Sequence, residues 1–345
     1  MKNSSHFRFS YLVLTAFLVV ILATSCSERR VVPAVGSYSD VWLISETGLQ
    51  SSMVKRFADV LSSPLTYVFE TENEFNVFVR NADDFKECTD KKNIVLLVRT
   101  DQEGKLRKRV FRTLSSDVLG RVRKDGHLIL FKKDLYARDQ DIYFLLVNSS
   151  VEEDYVLQRL APMLRDRLRE STKERYRSYL LSAHENKGGA KYLWQRYGFT
   201  VRHTSEYHKL QERPDLGAIE LHRRDPSRVL GIFWRNEVDG LPVLADSTEL
   251  FAFRTSIVDS LYGGDYMLPE ESQWSRTEID GRTAIRLKGV WQNDRDMTGG
   301  SFITYFVHDS KRRRLLALDL LLYAPGKDKH PYMRELEALA ETFRF

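Results

Sequence analysis

The chain predicts an α+β fold in two consecutive domains, and three observations carry that reading. Strand-like runs come in neighbouring pairs separated by helical stripes, without the strict strand-helix alternation of a doubly wound sheet. Lys187-Gly188-Gly189 breaks the pattern near the middle of the 345 residues. The same order of elements then recurs: Ile94 to Thr100 and Leu230 to Asn236 occupy equivalent slots, as do Tyr136-Ala137-Arg138-Asp139 and Trp291-Gln292-Asn293-Asp294. The expectation is two diverged copies of one unit, each an antiparallel sheet covered by helices on one face; two unrelated α+β domains are the alternative. The divisions expected are 1–25, 26–38, 39–185 and 186–345.

Residues 1–25 have the form of an export signal: Lys2 and Arg8, an apolar run from Tyr11 to Leu22, then Ala23-Thr24-Ser25-Cys26. About a dozen apolar residues fall short of the roughly 20 that span a bilayer. The small residues before Cys26 resemble a bacterial lipobox, which implies cleavage before Cys26 and acylation of its thiol. Two or more acyl chains, at about 0.8 kcal/mol per buried methylene, anchor stably. Cys26 is therefore read as a lipid anchor. By analogy with Gram-negative lipoprotein sorting, Ser27 in place of Asp implies the outer membrane, with the protein facing the periplasm. Residues 26–38, polar with Pro33 and Gly36, read as a tether.

In order along the first domain come a strand at Asp40 to Ile44, a helix from Gly48 to Ser62 with Met53, Phe57 and Leu61 four apart, and a strand from Phe75 to Val79. Asn93 to Arg99 reads as a strand buried on both sides. A helix at Leu114 to Arg123, capped by Ser115 or Ser116, precedes strands at His127 to Lys132 and Ile142 to Val147. A long helix follows, carrying Leu157, Leu160, Leu164 and Leu168 on one stripe, and Pro162 predicts a kink or two helices end to end. Its arginines, interleaved with acids, read as an ion-paired solvated face, the alternative being a surface for anionic lipid.

In the second domain the spacing predicts a short helix from Ala190 to Tyr197, strands at Gly217 to Arg223 and Val229 to Arg235, and a helix from Ser247 to Tyr262. Asp246 or Ser247 caps that helix and Gly263-Gly264 stops it. Three strands, Thr283 to Trp291, Ser301 to His308 and Leu315 to Tyr323, lead to a final helix from Pro331 to Glu341.

The C-terminal third resembles an uncharacterised family of Bacteroidota envelope lipoproteins, known only as a domain of unknown function. The resemblance rests on Gly263-Gly264-Asp265-Tyr266-Met267, Arg286-Leu287-Lys288-Gly289-Val290-Trp291, Met297-Thr298-Gly299-Gly300-Ser301-Phe302 and Tyr323-Ala324-Pro325-Gly326 with Tyr332 to Ala338. The first half resembles it more faintly, with Tyr67 to Asn73 standing where the family has a proline-rich segment. It implies an envelope lipoprotein and no activity.

Composition narrows the function classes. The formal charge is +5, and without Lys2 and Arg8 it is near +3, too small to imply nucleic acid. Hydrophobic residues make up 42% of the chain, enough for a sizeable core and against disorder. With Cys26 acylated, Cys88 has no disulfide partner, and its acidic neighbours disfavour a thiolate. Ser52-Met53-Val54-Lys55 has the spacing of penicillin-interacting enzymes without their other elements, and Gly299-Gly300 reads as a tight turn allowing positive φ. No Cys/His group has metal spacing, and no cofactor motif occurs.

Asp319 does not fit a bland reading, because it interrupts the apolar strand Leu315 to Tyr323 and shares a face with Ala317, Leu321 and Tyr323. A buried carboxylate needs a cation or several donors, and Arg286 on the neighbouring strand is the expected partner. The candidate ligand pocket is then a polar floor of Asp319 and Arg286 rimmed by Trp291, Tyr305 and Tyr323. The function expected is a membrane-tethered binding or assembly module, meeting an envelope protein or a small ligand. The alternative is an envelope hydrolase using scattered carboxylates such as Glu270, Asp296 or Asp319.

Overall fold

Asn93–Arg99 (β5) is buried nearly end to end because it is a middle strand of a sheet covered on both faces. In the computed structural model, which describes residues 32–65, 71–238 and 241–345, β5 lies between Asp40–Ser45 (β1) and Asp141–Val147 (β7) and runs parallel to both. A helix, Ser52–Ser62 (α1), and a small ribbon, Pro64–Leu65 (β2) with Glu72–Asn73 (β3), lead from β1 to Asn76–Arg80 (β4), which is also parallel to β1. His127–Lys133 (β6) closes the other edge antiparallel to β7, giving the order β4-β1-β5-β7-β6.

One face of this sheet packs on α1 and on Ala161–His184 (α4), through Leu43, Leu97, Phe57, Leu61 and Leu164. The other packs on a short turn holding Phe85 and on Lys105–Phe111 (α2) and Ser116–Asp125 (α3), through Leu96, Val98, Val110 and Val122. The α+β character in two parts is as expected, but two finer expectations are corrected here. The first sheet is mostly parallel where the second is antiparallel, so the halves are not copies of one unit, and helices cover both faces of each sheet instead of one. The reason is the crossover: each parallel neighbour needs a long return path, and these returns place helices on opposite sides.

Pro162 sits in the first turn of α4, directly after a π-helical turn at Val156–Leu160, where the changed pairing tolerates its missing N–H. Lys187-Gly188-Gly189 forms the first turn of Lys187–Tyr197 (α5), whose Asn186 cap accepts from the Gly189 amide at 2.8 Å. A Cβ on Gly189 would lie 2.6 Å from Nε2 of the buried His203 ring, so the glycine is there for close approach.

The second half is an antiparallel sheet of eight strands: His208–Arg213 (β8), Ala218–Arg223 (β9), Ser227–Asn236 (β10), Tyr266–Met267 (β11), Gln273–Ile279 (β12), Arg282–Asn293 (β13), Thr298–Asp309 (β14) and Arg314–Tyr323 (β15). The order is β11-β13-β14-β15-β10-β9-β8, with β12 also on β13. Ser247–Tyr262 (α6), capped by Asp246, covers one face through Leu250, Phe253 and Ile257. His330–Ala340 (α7) and α5 cover the other through Met333, Leu336, Leu339 and Leu193.

Gly299 and Gly300 lie inside β14, and the positive φ of that turn belongs to Met297. A Cβ on Gly300 would fall 1.9 Å from the Leu322 carbonyl oxygen, so this pair too serves close approach, which corrects the turn reading. Among the described residues no helix is long and apolar enough to cross a membrane. The leader and Cys26 lie outside the described residues.

Candidate functional site

The register of the second sheet brings Glu220, Gly231, Asp319 and Thr304 into one row across β9, β10, β15 and β14, on the face under α6. Arg254 reaches down from α6 and grips Asp319 with two bonds, Nε to Oδ1 at 2.7 Å and Nη2 to Oδ2 at 3.1 Å. The Thr304 hydroxyl donates to the same carboxylate, and the Phe302 ring lies 4.0 Å below the guanidinium. Beside this pair, Glu220 accepts from the Tyr262 hydroxyl, while its other oxygen has no hydrogen-bond partner among the described residues. Burial pushes the Glu220 carboxyl up to about 7; the Tyr262 bond opposes this and the Asp319 charge adds to it.

A carboxyl group held toward its protonated form beside a carboxylate–guanidinium pair has the ingredients of acid-base chemistry. Access decides against it. Glu220 is wholly buried, Asp319 is 2% exposed and Arg254 is 1% exposed, so no substrate reaches them. The row is a polar strut that ties α6 to the sheet.

Arg286 is not the partner of Asp319. It lies opposite Tyr305, which lies opposite Leu318, one residue away from Asp319, and a shift of one residue turns a side chain to the other face. Trp291 and Tyr323 do share the Asp319 face, with ring centroids 6.3 Å apart. Arg286 and Tyr305 face α7 instead, where both meet the Glu337 carboxylate, Arg286 through a short Nη2 bond and the Tyr305 hydroxyl at 3.3 Å. The five residues therefore line two sites on opposite sides of one sheet, and the residue that neutralises Asp319 sits on a helix that no linear pattern connects to it.

The Arg286 side opens into a cleft of about 440 Å³ between the two halves, within the range of small-molecule sites. Helix α4 contributes Arg165, Arg169 and Lys173, four residues apart and so on one face. Arg169 forks onto Glu74, a buried carboxylate just before β4, with Nη2 to Oε2 at 2.5 Å. Lys173 reaches Glu341, beyond α7, at 2.6 Å. Arg165 donates to the Ser63 hydroxyl at 2.8 Å, while its Nε is buried without a hydrogen-bond partner.

Glu72 crosses between the halves to cap α7, accepting from the Lys329 and His330 amides at 2.7 and 2.8 Å. The cap holds His330 at the cleft, where the ring is 7% exposed and neither nitrogen has a partner of hydrogen-bond geometry. Burial first, then the Arg334 charge, push its pKa down to about 3, with the Glu74 backbone pulling the other way and Arg169 lowering it further. His330 is thus a neutral imidazole. Six guanidinium or ammonium groups line the cleft against five carboxylates, three of which are already engaged by the bonds above.

Among the described residues no group of three or more His, Cys, Asp or Glu could hold a metal ion. Cys88 is buried, and burial above all, with Asp84 and Glu87 adding and Arg80 and Lys91 opposing, pushes its thiol up to about 11.

Residues 190–342 match the family model described as Domain of unknown function (DUF4837). The DUF4837 region thus begins inside α5 and ends just after α7, taking in the whole antiparallel sheet. A crystal structure from Bacteroides thetaiotaomicron VPI-5482 is similar at 10% identity with a TM-score of 0.27, over 42% of this chain and 44% of that one. This chain therefore spans less than half of that protein's length. Two Mog1 structures, a point mutant and the Saccharomyces cerevisiae Ran-binding protein Mog1p, are similar at 13% identity and a TM-score of 0.30; each match covers 46% of this chain and 93% or 92% of theirs. No curated protein matches the chain. The cleft straddles the boundary of the DUF4837 region: β12, β13, β14 and α7 belong to it, whereas α4 and Glu74 precede it.

Proposed function

We propose that this protein is a lipid-anchored binding module of the cell envelope, held through Cys26 at the outer membrane and facing the periplasm, with its ligand seated in the cleft between the halves. The cleft itself carries the reading: its walls come from both halves, and the His330 ring and the Arg165 guanidinium are part of its lining. Buried polar groups without partners are costly unless a ligand or water completes them, which marks the cleft as a place for a polar guest. Six guanidinium or ammonium groups against five carboxylates in the lining suit a small molecule bearing a carboxylate or phosphate group.

The hydrolase alternative has less to draw on. Glu270 and Asp296 are exposed on the surface and Asp319 is sealed, so a substrate that meets the first two does not meet the third.

Native mass spectrometry of the intact chain released from its own envelope tests the reading, with Arg165→Glu and Cys26→Ser chains alongside. The expected result is an acidic small molecule carried by the wild type and lost from Arg165→Glu, with Cys26→Ser escaping the membrane fraction. Identical small-molecule retention by wild type and Arg165→Glu would sink the cleft assignment. Enrichment of one polypeptide and no small molecule would make the protein an assembly factor instead.

A further inference from the structure

The near-neutral balance of the whole chain hides a strong local asymmetry. Residues 105–138 contain eleven Lys and Arg against three Asp, a net +8, so the rest of the chain, with the total at +5, is −3. These residues build α2, α3, edge strand β6 and the loop after it, on one side of the parallel sheet. Asp83 holds Lys105, and Glu103 holds Arg107 with Lys108 nearby. Arg112, Arg121, Arg123, Lys124, Lys132 and Arg138 are exposed, and none has an acidic partner among the described residues.

This basic face is continuous with the point where the chain emerges. The Arg109 guanidinium lies 4.3 Å over Phe85, Phe85 meets Tyr136 edge-on at 5.7 Å, and the Arg138 backbone pairs with Val32 and Ala34 at 2.8 Å. Val32, Val35 and Leu135 expose apolar side chains beside it. Cys26 precedes Val32 by six residues, which reach at most about 20 Å when extended. Acyl chains on Cys26 would therefore hold this face within a short distance of the headgroups.

We infer that the α2–α3–β6 face is an electrostatic docking surface for anionic phospholipid, which presses the protein onto the bilayer that anchors it. The inference rests on the lipid-anchor reading for the geometry, but not for the charge. A short tether supplies proximity, and unneutralised guanidinium and ammonium groups supply attraction that decays within about 10 Å at ordinary salt. An anchor plus a polybasic patch is a two-signal arrangement, in which orientation comes from the patch and retention from the acyl chains. The cleft between the halves is then held at a set distance from the membrane.

The test uses the full chain, purified with its anchor and placed on vesicles of phosphatidylcholine alone or mixed with phosphatidylglycerol. A water-soluble amine reagent then labels exposed lysines, read by mass spectrometry. Lys108, Lys124 and Lys132 should label about threefold or more slowly on the anionic vesicles, with Lys187 and Lys191 unchanged, and about 0.5 M salt should abolish the difference. An Arg112→Gln/Arg121→Gln/Arg123→Gln chain should lose the protection, while a Lys187→Gln/Lys191→Gln/Lys327→Gln chain, which drops the same charge elsewhere, should keep it. Equal labelling of the three lysines on both vesicle types overturns the inference. So does protection by RNA homopolymer without protection by anionic vesicles. Flotation separates the two readings: a chain that fails to float on neutral vesicles contradicts the anchor, and the face is then read from salt-sensitive flotation on anionic vesicles, whose absence overturns it.

Discussion

Two acid-guanidinium pairs in this molecule have nearly the same chemistry and opposite roles. Asp319–Arg254 lies between α6 and the antiparallel sheet with both side chains almost fully buried. Glu74–Arg169 lies in the cleft, with the carboxylate equally buried but the guanidinium 41% exposed. The first pair is desolvated on both sides and can only be structural. The second keeps one partner in water, so Arg169 can rotate, rehydrate or meet a ligand at modest cost. Burial of the cation, not the type of contact, separates a strut from a binding surface.

The contrast is broken most sharply by truncating the acids. Asp319→Ala strands the Arg254 charge and should cost about 3–5 kcal/mol in urea unfolding, whereas Asp319→Leu with Arg254→Met should recover most of the loss. Glu74→Ala should cost only about 1–2 kcal/mol, since Arg169 turns to solvent. Equal costs at the two sites would remove the distinction.

The next effect is one of pH. With its folded pKa near 7 against an ordinary value of 4.5, Glu220 binds a proton that the unfolded chain has already released, so stability falls as pH rises between these values. The fall should reach about 3 kcal/mol. Glu220→Gln, which keeps the shape and cannot ionise, should flatten the stability profile over that interval.

His330 works in the opposite sense on the cleft side. Its folded pKa near 3 leaves it neutral where the unfolded imidazole is already charged, so stability is lost as pH falls below 6.5. About 2 kcal/mol should be lost by pH 5, and His330→Phe should remove that dependence. An anionic ligand seated beside the ring would favour the imidazolium, raise its pKa and reduce the loss.

The smallest effect concerns the join between the halves. Glu72→Ala removes the cap of α7 and should cost about 1 kcal/mol, read as faster amide exchange at Lys329 and His330. No change in those amides would mean that the halves hold α7 without it.

Local chemistry was legible wherever neighbours in sequence decide it. The expected caps Ser115 and Asp246 lie at helix starts, and each accepts from an amide three residues on, whereas Ser51 caps a helix that the sequence pattern began earlier, at Gly48. The burial of Asn93–Arg99 on both faces was also readable from its unbroken apolar run, and that run was the available hint that its neighbours are parallel. Helix α2 was missed because five of its seven residues, Lys105 to Arg109 except Leu106 together with Phe111, are basic or aromatic and show no stripe; Leu106 and Val110 alone face the core. Strand β12 was missed because its residues are mostly exposed on an outer strand.

The amino-acid order by itself determined the helix caps at Ser115 and Asp246, the buried runs, the division into α and β segments and the charge excess of residues 105–138, because each depends on residues close in the chain. Tertiary structure alone decided strand direction in the first sheet, the pairing of Asp319 with Arg254, and the cleft where Glu74, Arg169 and His330 meet. Those contacts join residues 36 to about 250 positions apart, and a register shift of one residue, invisible in the pattern, turns Arg286 to the opposite face from Asp319.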